Sequence, residues 1–155
     1  MTTRALIFQV TEYQTVRGVS LHCDGYISDG MNGAGIMLQK HYQDPAQTKR
    51  LIDLGVLSTL GATPESIDTF ADSPAENPEI VELGLPDFMN RFASDRLPYG
   101  DSEYLYLQIT SGQPQWFVAS HKYGADHWSD LQPLDQAIAK VDRTVRGLVN
   151  IELNN

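Results

Sequence analysis

The sequence predicts an α+β fold, in which a small, mainly antiparallel sheet is covered on one face by helices. Two patterns lead to this prediction. Residues 103–119 contain two strand-like runs on either side of the turn sequence Thr110-Ser-Gly-Gln113, which is typical of a β-hairpin. Residues 34–42 carry apolar side chains at intervals of three and four residues, which is typical of a helix with one buried face.

The N-terminal part of the sequence predicts two further strands. Residues 4–13 are rich in β-branched and aromatic side chains, and their alternating pattern indicates a strand. Residues 16–23 resume the strand pattern, so a short turn near Gln14 would pair the two strands. Residues 24–33 contain three glycines among polar neighbours and predict a loop.

The remaining helices are predicted from caps and from periodicity. Asp44 precedes Pro45, which predicts the N-cap and the first position of a helix that ends at Gly55. An amphipathic pattern over residues 131–145 predicts the last helix, with a strand at about residues 148–153. Between them, the helix predicted over residues 86–94 directs three side chains towards the core: Phe88, Met89 and Phe92.

Length and composition indicate one soluble globular domain. A chain of 155 residues, 41% apolar and 20% charged, fits a single domain over residues 1–155, with an irregular acidic connection at residues 63–86. No apolar run approaches the roughly 18 residues that suggest a membrane span. No signal-peptide pattern precedes the first strand. Cys23 is the only cysteine, so the sequence predicts a reducing cytoplasm as the location. The lack of a long apolar run predicts no membrane association.

The acidic charge is concentrated in one segment. The chain has a net charge of −9, and residues 65–103 contain ten acidic residues against only Arg91 and Arg96. Counterion release favours basic proteins on nucleic acid, so direct nucleic-acid binding is not expected. A protein partner with a basic surface is favoured instead. The residues predicted to contact it are Glu65, Asp68, Asp72, Glu76, Glu79, Glu82 and Tyr26. The alternative is a solvated surface that keeps the protein soluble.

The segment Gly18-Val-Ser-Leu-His-Cys-Asp-Gly-Tyr26 contains the residues best suited to chemistry. In a continuing strand, His22 and Asp24 would point to one face, where they could bind a ligand together with Tyr26. A metal would need further ligands, which would come from Asp29, His41, His121, Asp126 or His127. No known metal-binding spacing joins these residues, so the sequence predicts neither a metal nor a cofactor. The alternative is a structural turn, with Asp24 as its cap.

The same segment resembles a family of small proteins from phages, prophages and plasmids. The shared pattern is G-x-x-x-H-x-D-G-Y, followed by L-I-x-L-G-x-L-S-x-L, which matches residues 51–60 here. The second half is similar in a weaker way, through Tyr-Leu-Tyr106, Trp-Phe-Val118 and Trp128. The resemblance implies a mobile genetic element as the setting and a bacterial host cytoplasm as the location, and it names no reaction.

Two functions are therefore expected from the sequence. The first is a non-enzymatic binding protein, such as an inhibitor of a host defence nuclease complex of the anti-CRISPR type, which uses its acidic segment against a basic groove. The alternative is a small enzyme, or a nucleotide- or metal-binding protein, with its site around His22, Asp24 and Tyr26.

Overall fold

The computed structural model describes residues 3–28, 33–67, 79–98, 101–121 and 126–142. These residues form a six-stranded sheet with the strand order β3-β2-β1-β4-β5-β6, so the predicted α+β class with a mainly antiparallel sheet is confirmed. The strands are β1 (Ala5–Val10), β2 (Thr15–Leu21), β3 (Val81–Gly84), β4 (Tyr104–Ile109), β5 (Gln115–Ser120) and β6 (Gln132–Pro133). The helices are α1 (Ala34–His41), α2 (Pro45–Asp53), α3 (Leu85–Ala93) and α4 (134–142). None of the described helices is long and apolar enough to cross a membrane.

Both predicted hairpins are present. β1 pairs antiparallel with β2 through a turn in which Gln14 has a φ of 58°, and β4 pairs antiparallel with β5 through Gly112 at a φ of 73°. In each turn, one residue with a left-handed backbone helps to reverse the direction of the chain. This conformation costs little free energy at Gly112, because glycine has no Cβ atom. The two hairpins join through a parallel pairing of β1 with β4, which the sequence patterns do not predict.

The helices cover both faces of the sheet. Three of them, α1, α2 and α4, pack on one face through residues such as Leu38, Leu51 and Leu134. The prediction that helices cover one face is wrong for α3, which packs on the opposite face through Phe88, together with Trp128. The physical reason lies in β1, where Ala5 to Gln9 are all buried, since a strand that is apolar on both sides needs cover on both sides.

The acidic connection contains one element that the sequence predicts and one that it does not. Residues 64–66 form a 3-10 turn capped by Thr63 and Ser66, where the sequence Thr63-Pro64 predicts the start of a short helix, and residues 68–78 lie outside the described residues. Val81–Gly84 form β3, which pairs antiparallel with β2, so the prediction of an irregular connection is wrong there. Only two apolar residues alternate in this strand, which is too short a pattern to separate a strand from a loop.

Two helix predictions also need correction, one in the side chains that are buried and one in the position where the helix begins. In α3, Phe88 is buried as predicted, but the Met89 side chain is 44% exposed. The last helix begins at residue 134 rather than 131, because Leu131 precedes β6 and packs on the opposite face with Trp128. The strand predicted at residues 148–153 lies outside the described residues.

A buried polar network fixes the connection between α1 and α2 on the sheet. The Tyr42 carbonyl oxygen accepts hydrogen bonds from Gln108 Nε2 at 2.9 Å, Trp116 Nε1 at 2.9 Å and Thr48 Oγ1 at 3.1 Å. Gln9 Nε2 donates to Gln108 Oε1 at 3.0 Å, which completes the link to β1. Because every buried amide in this network has a partner, the network adds specificity to the position of α2.

Candidate functional site

The segment from His22 to Tyr26 leaves the sheet instead of extending β2. The strand ends at Leu21, and the next two backbone amides, of His22 and Cys23, each donate to the loop of Leu57 and Ser58 at 2.9 Å. Asp24 then adopts a left-handed conformation with a φ of 59°. The premise that His22 and Asp24 project from one face of a strand is therefore wrong.

Asp24 and Tyr26 are brought together directly. The Tyr26 hydroxyl donates to Asp24 Oδ1 at 3.1 Å, and the Ala34 amide at the start of α1 donates to the Asp24 carbonyl at 3.0 Å. From the sheet, the Tyr106 hydroxyl donates to the Gly25 carbonyl at 2.6 Å. Burial raises the pKa of Tyr106 well above its ordinary value, so this hydroxyl remains a donor. These bonds give the segment a structural role as the turn that positions α1.

We expect Tyr26→Phe to lower the free energy of unfolding by about 1 kcal/mol, because it removes a partly buried hydrogen bond and keeps the ring. Asp24→Asn is the matched control, since an asparagine oxygen still accepts from Tyr26 and asparagine tolerates a left-handed backbone. Urea unfolding followed by circular dichroism measures both variants. A larger loss in Asp24→Asn than in Tyr26→Phe would show that the carboxylate charge matters beyond this bond.

The candidate metal ligands are not assembled within the part of the chain that the structure describes. There, no three His, Cys, Asp or Glu side chains lie close enough together to hold a metal ion. Asp29 lies outside the described residues. His121 Nε2 lies 3.0 Å from Asp95 Oδ2, and its ring meets Trp128 edge-on, so this histidine joins β5 to the residues that follow α3.

Most of the described acidic residues of the 65–103 segment already have a local basic partner. Asp68, Asp72 and Glu76 lie outside the described residues. Three of the others form ion pairs, Glu65 with Arg50, Asp87 with Arg91, and Asp101 with Arg4, and Asp95 shares a hydrogen bond with His121. These pairs lie on both faces of the sheet, since Arg50 belongs to α2 and Arg91 to α3. The described acids therefore do not form one continuous acidic face.

Glu82 differs from these acids because it lies in a groove of the surface. The groove has a volume of about 510 Å³ and lies beside β3, and we call it the β3 groove. Arg17 and Glu82, which are cross-strand partners, line it together with residues of α2 and of the turn between β1 and β2. Its lining residues are Gln9, Val10, Thr11, Glu12, Tyr13, Thr15, Arg17, Pro45, Ala46, Lys49, Glu82 and Thr110.

The basic side chains of the β3 groove, Arg17 and Lys49, both bind Asp53. Asp53 accepts from Arg17 Nη2 at 2.7 Å and from Lys49 Nζ at 2.8 Å. Burial would raise the pKa of Asp53, but the hydrogen bonds and charges of Lys49 and Arg17 outweigh it and lower the pKa. Within the described residues, Glu12 and Glu82 form no ion pair. With Asp53 counted, three carboxylates (Asp53, Glu12 and Glu82) stand against two basic side chains, so the groove has a net charge of −1.

The β3 groove and the predicted site around Tyr26 lie at opposite ends of β1. The segment at residues 24–26 bonds to Thr3, ahead of the strand, whereas the groove begins at Gln9 and Val10. Of the predicted partner-binding residues that the structure describes, which are Glu65, Glu79, Glu82 and Tyr26, only Glu82 lines the groove. Arg17 and Lys49 were missed because their common partner, Asp53, lies far from Arg17 in sequence. The spacing of Lys49 and Asp53 in one helix is the only local signal.

Comparisons with protein-family models, with curated proteins and with solved structures find no significant match. The fold and the β3 groove are therefore the basis for a functional proposal.

Proposed function

We propose that this protein is a non-enzymatic binding protein that docks a partner with a basic surface at the β3 groove. The observation that supports this proposal is the pair of exposed acids, Glu12 and Glu82, that form no ion pair within the described residues, whereas Arg17 and Lys49 both bind Asp53. Tyr13, whose side chain is 79% exposed, lies beside them in the groove. Exposed aromatic residues beside uncompensated charge are typical of protein-binding surfaces.

The resemblance to proteins of phages and plasmids suggests the class of basic partner that the protein binds. A host defence nuclease complex carries a basic groove for its nucleic acid, and an acidic protein can occupy such a groove without binding nucleic acid itself. We therefore propose an anti-defence inhibitor that acts in the bacterial cytoplasm. This setting remains a prediction from the sequence pattern.

The test is a comparison of two charge-matched variants. We expect Glu12→Gln combined with Glu82→Gln to reduce capture of a basic partner at least about tenfold, because the net charge of the groove changes from −1 to +1. The full-length tagged protein is used as bait in bacterial lysate, and captured proteins are quantified by mass spectrometry. Capture by the unchanged protein should also fall as salt is raised.

The matched control combines Asp126→Asn with Asp130→Asn. This variant removes the same amount of charge from exposed residues that lie outside the β3 groove, near β6. Control and unchanged protein should capture the partner equally. If all three proteins capture it to the same extent, the β3 groove is not the docking surface. A separate assay tests direct inhibition: cleavage of target DNA by the captured nuclease complex is measured with and without the protein.

A further inference from the structure

We propose that the partner binds by strand addition: an extended segment with Lys or Arg at alternate positions pairs with the outer edge of β3 and places those side chains in the β3 groove. This inference rests on the proposed function and specifies the chemistry of the partner. Strand addition draws affinity from main-chain hydrogen bonds and specificity from pockets for alternate side chains. The molecule offers both at the same place.

The two edges of the sheet differ in how well they accept a further strand. β6 is only two residues long, and one of them is Pro133, which has no backbone N–H to donate. β3 has four residues, none of them proline, lysine or arginine, and within the described residues only β2 pairs with it. Natural proteins usually protect an edge with proline, lysine or a very short strand. β6 has such protection, and β3 lacks most of it.

Side chains on β3 alternate in a way that selects an incoming strand. Val81 and Leu83 pack with the cluster around Phe88 on the side of α3. Glu82 points to the other face, where it lies opposite Arg17 and lines the β3 groove. A strand added beside β3 would continue this alternation, so every second side chain would lie on the same face as Glu82, and one of them would lie next to it. Opposite charges on neighbouring strands are favourable, which selects Lys or Arg at that position, and the net negative charge of the groove favours further basic side chains on the same face.

A second copy of the chain fits this edge poorly. Pairing two β3 edges would bring a second Glu82 and a second Glu12 towards the same groove. Like charges on neighbouring strands are destabilising. The charge of the groove therefore favours a basic partner over self-association.

The test measures hydrogen exchange in the full-length protein with a synthetic peptide in which lysine alternates with valine. We expect the peptide to slow exchange of the Glu82 and Gly84 amides at least about tenfold. These two amides face the outer edge, because amides alternate along a strand and the Leu85 amide bonds to Gln14 on the side of β2. A peptide with the same side chains in which every backbone nitrogen is methylated keeps the charge but has no N–H to donate along either edge, and it should give no protection. Glu82→Lys should weaken peptide affinity at least about tenfold.

The remaining outcomes overturn the inference. Equal protection by the N-methylated peptide would show electrostatic binding without strand pairing. Protection of the Glu82 and Gly84 amides in the free protein, whether or not it depends on protein concentration, would show that the outer edge is already covered. If the Glu12→Gln, Glu82→Gln variant fails to capture the partner, but the partner leaves these amides unprotected in the unchanged protein, the proposed function stands and strand addition is refuted. If that variant also captures the partner normally, both proposals fail.

Discussion

Trp116→Ala is expected to lower the free energy of unfolding by about 3–5 kcal/mol, the largest effect among the changes considered. The Trp116 side chain is 1% exposed and packs in the cluster between the sheet and helices α1, α2 and α4. Its removal leaves a cavity that the surrounding side chains fill only in part. Nε1 also donates to the Tyr42 carbonyl at 2.9 Å, so the variant weakens the network that holds α2 on the sheet.

Trp116→Phe separates packing from hydrogen bonding in this prediction. Phenylalanine keeps most of the ring but cannot donate to the Tyr42 carbonyl, which retains Gln108 and Thr48 as donors. We therefore expect a smaller loss, of about 1–3 kcal/mol. Urea unfolding followed by far-ultraviolet circular dichroism measures both variants. Equal losses in the two variants would show that the hydrogen bond, and not the volume, determines the stability of this cluster.

Gly18→Ala is expected to destabilise the protein by about 1–3 kcal/mol or more, although it adds a single methyl group. Gly18 in β2 lies directly opposite Phe8 in β1, and an added Cβ atom would lie 2.2 Å from Phe8 Cδ1 and 2.6 Å from the Ile7 carbonyl oxygen. The Phe8 ring is held by an edge contact with Phe88, at 5.0 Å between ring centroids. The ring therefore has to move against its packed neighbour, or the strands have to separate.

Gly84→Ala is the matched control for that variant. Gly84 is also a strand glycine, but an added Cβ atom would meet only Pro86 Cδ, at 4.0 Å, so we expect a change of about 0.5 kcal/mol or less. Phe8→Leu combined with Gly18→Ala should cost less than the sum of the two single changes, because the smaller side chain removes the clash. Thermal unfolding of the unchanged protein, Gly18→Ala, Phe8→Leu and the double variant measures this coupling. Additive losses would show that Phe8 is not the residue that Gly18 accommodates.

The local elements could be predicted because their causes lie within a few residues. The N-cap of α2 is an example, since the Asp44 side chain accepts from the Ala46 amide at 3.0 Å, as the Asp-Pro pair predicts. The end of α2 is similar, because Gly55 has a φ of 85° just beyond the helix. Both hairpins follow from their turns in the same way. A capping box can even use Ser66 where glutamate is preferred, since the serine hydroxyl is close enough to Thr63.

Side-chain chemistry was harder to predict because it depends on where the backbone turns. The pattern from His22 to Tyr26 suggests a ligand site only if β2 continues through it. The hydrogen bonds to Leu57 and Ser58 lead the chain out of the sheet, and the left-handed backbone of Asp24 turns its carboxylate towards Tyr26. A long-range contact therefore decides the role of a segment that looks self-contained in sequence.

The sequence alone determines the α+β class, both hairpins, the caps of α2 and the excess of acidic charge. Only the tertiary structure decides which acids keep that charge exposed. Glu65, Asp87 and Asp101 are each compensated by an arginine, whereas Glu82 lies in a groove whose cations already bind Asp53. The physical reason is that caps and turns depend on adjacent residues, while compensation of charge depends on distances in space. The sheet sets those distances by bringing β2, β3 and α2 together.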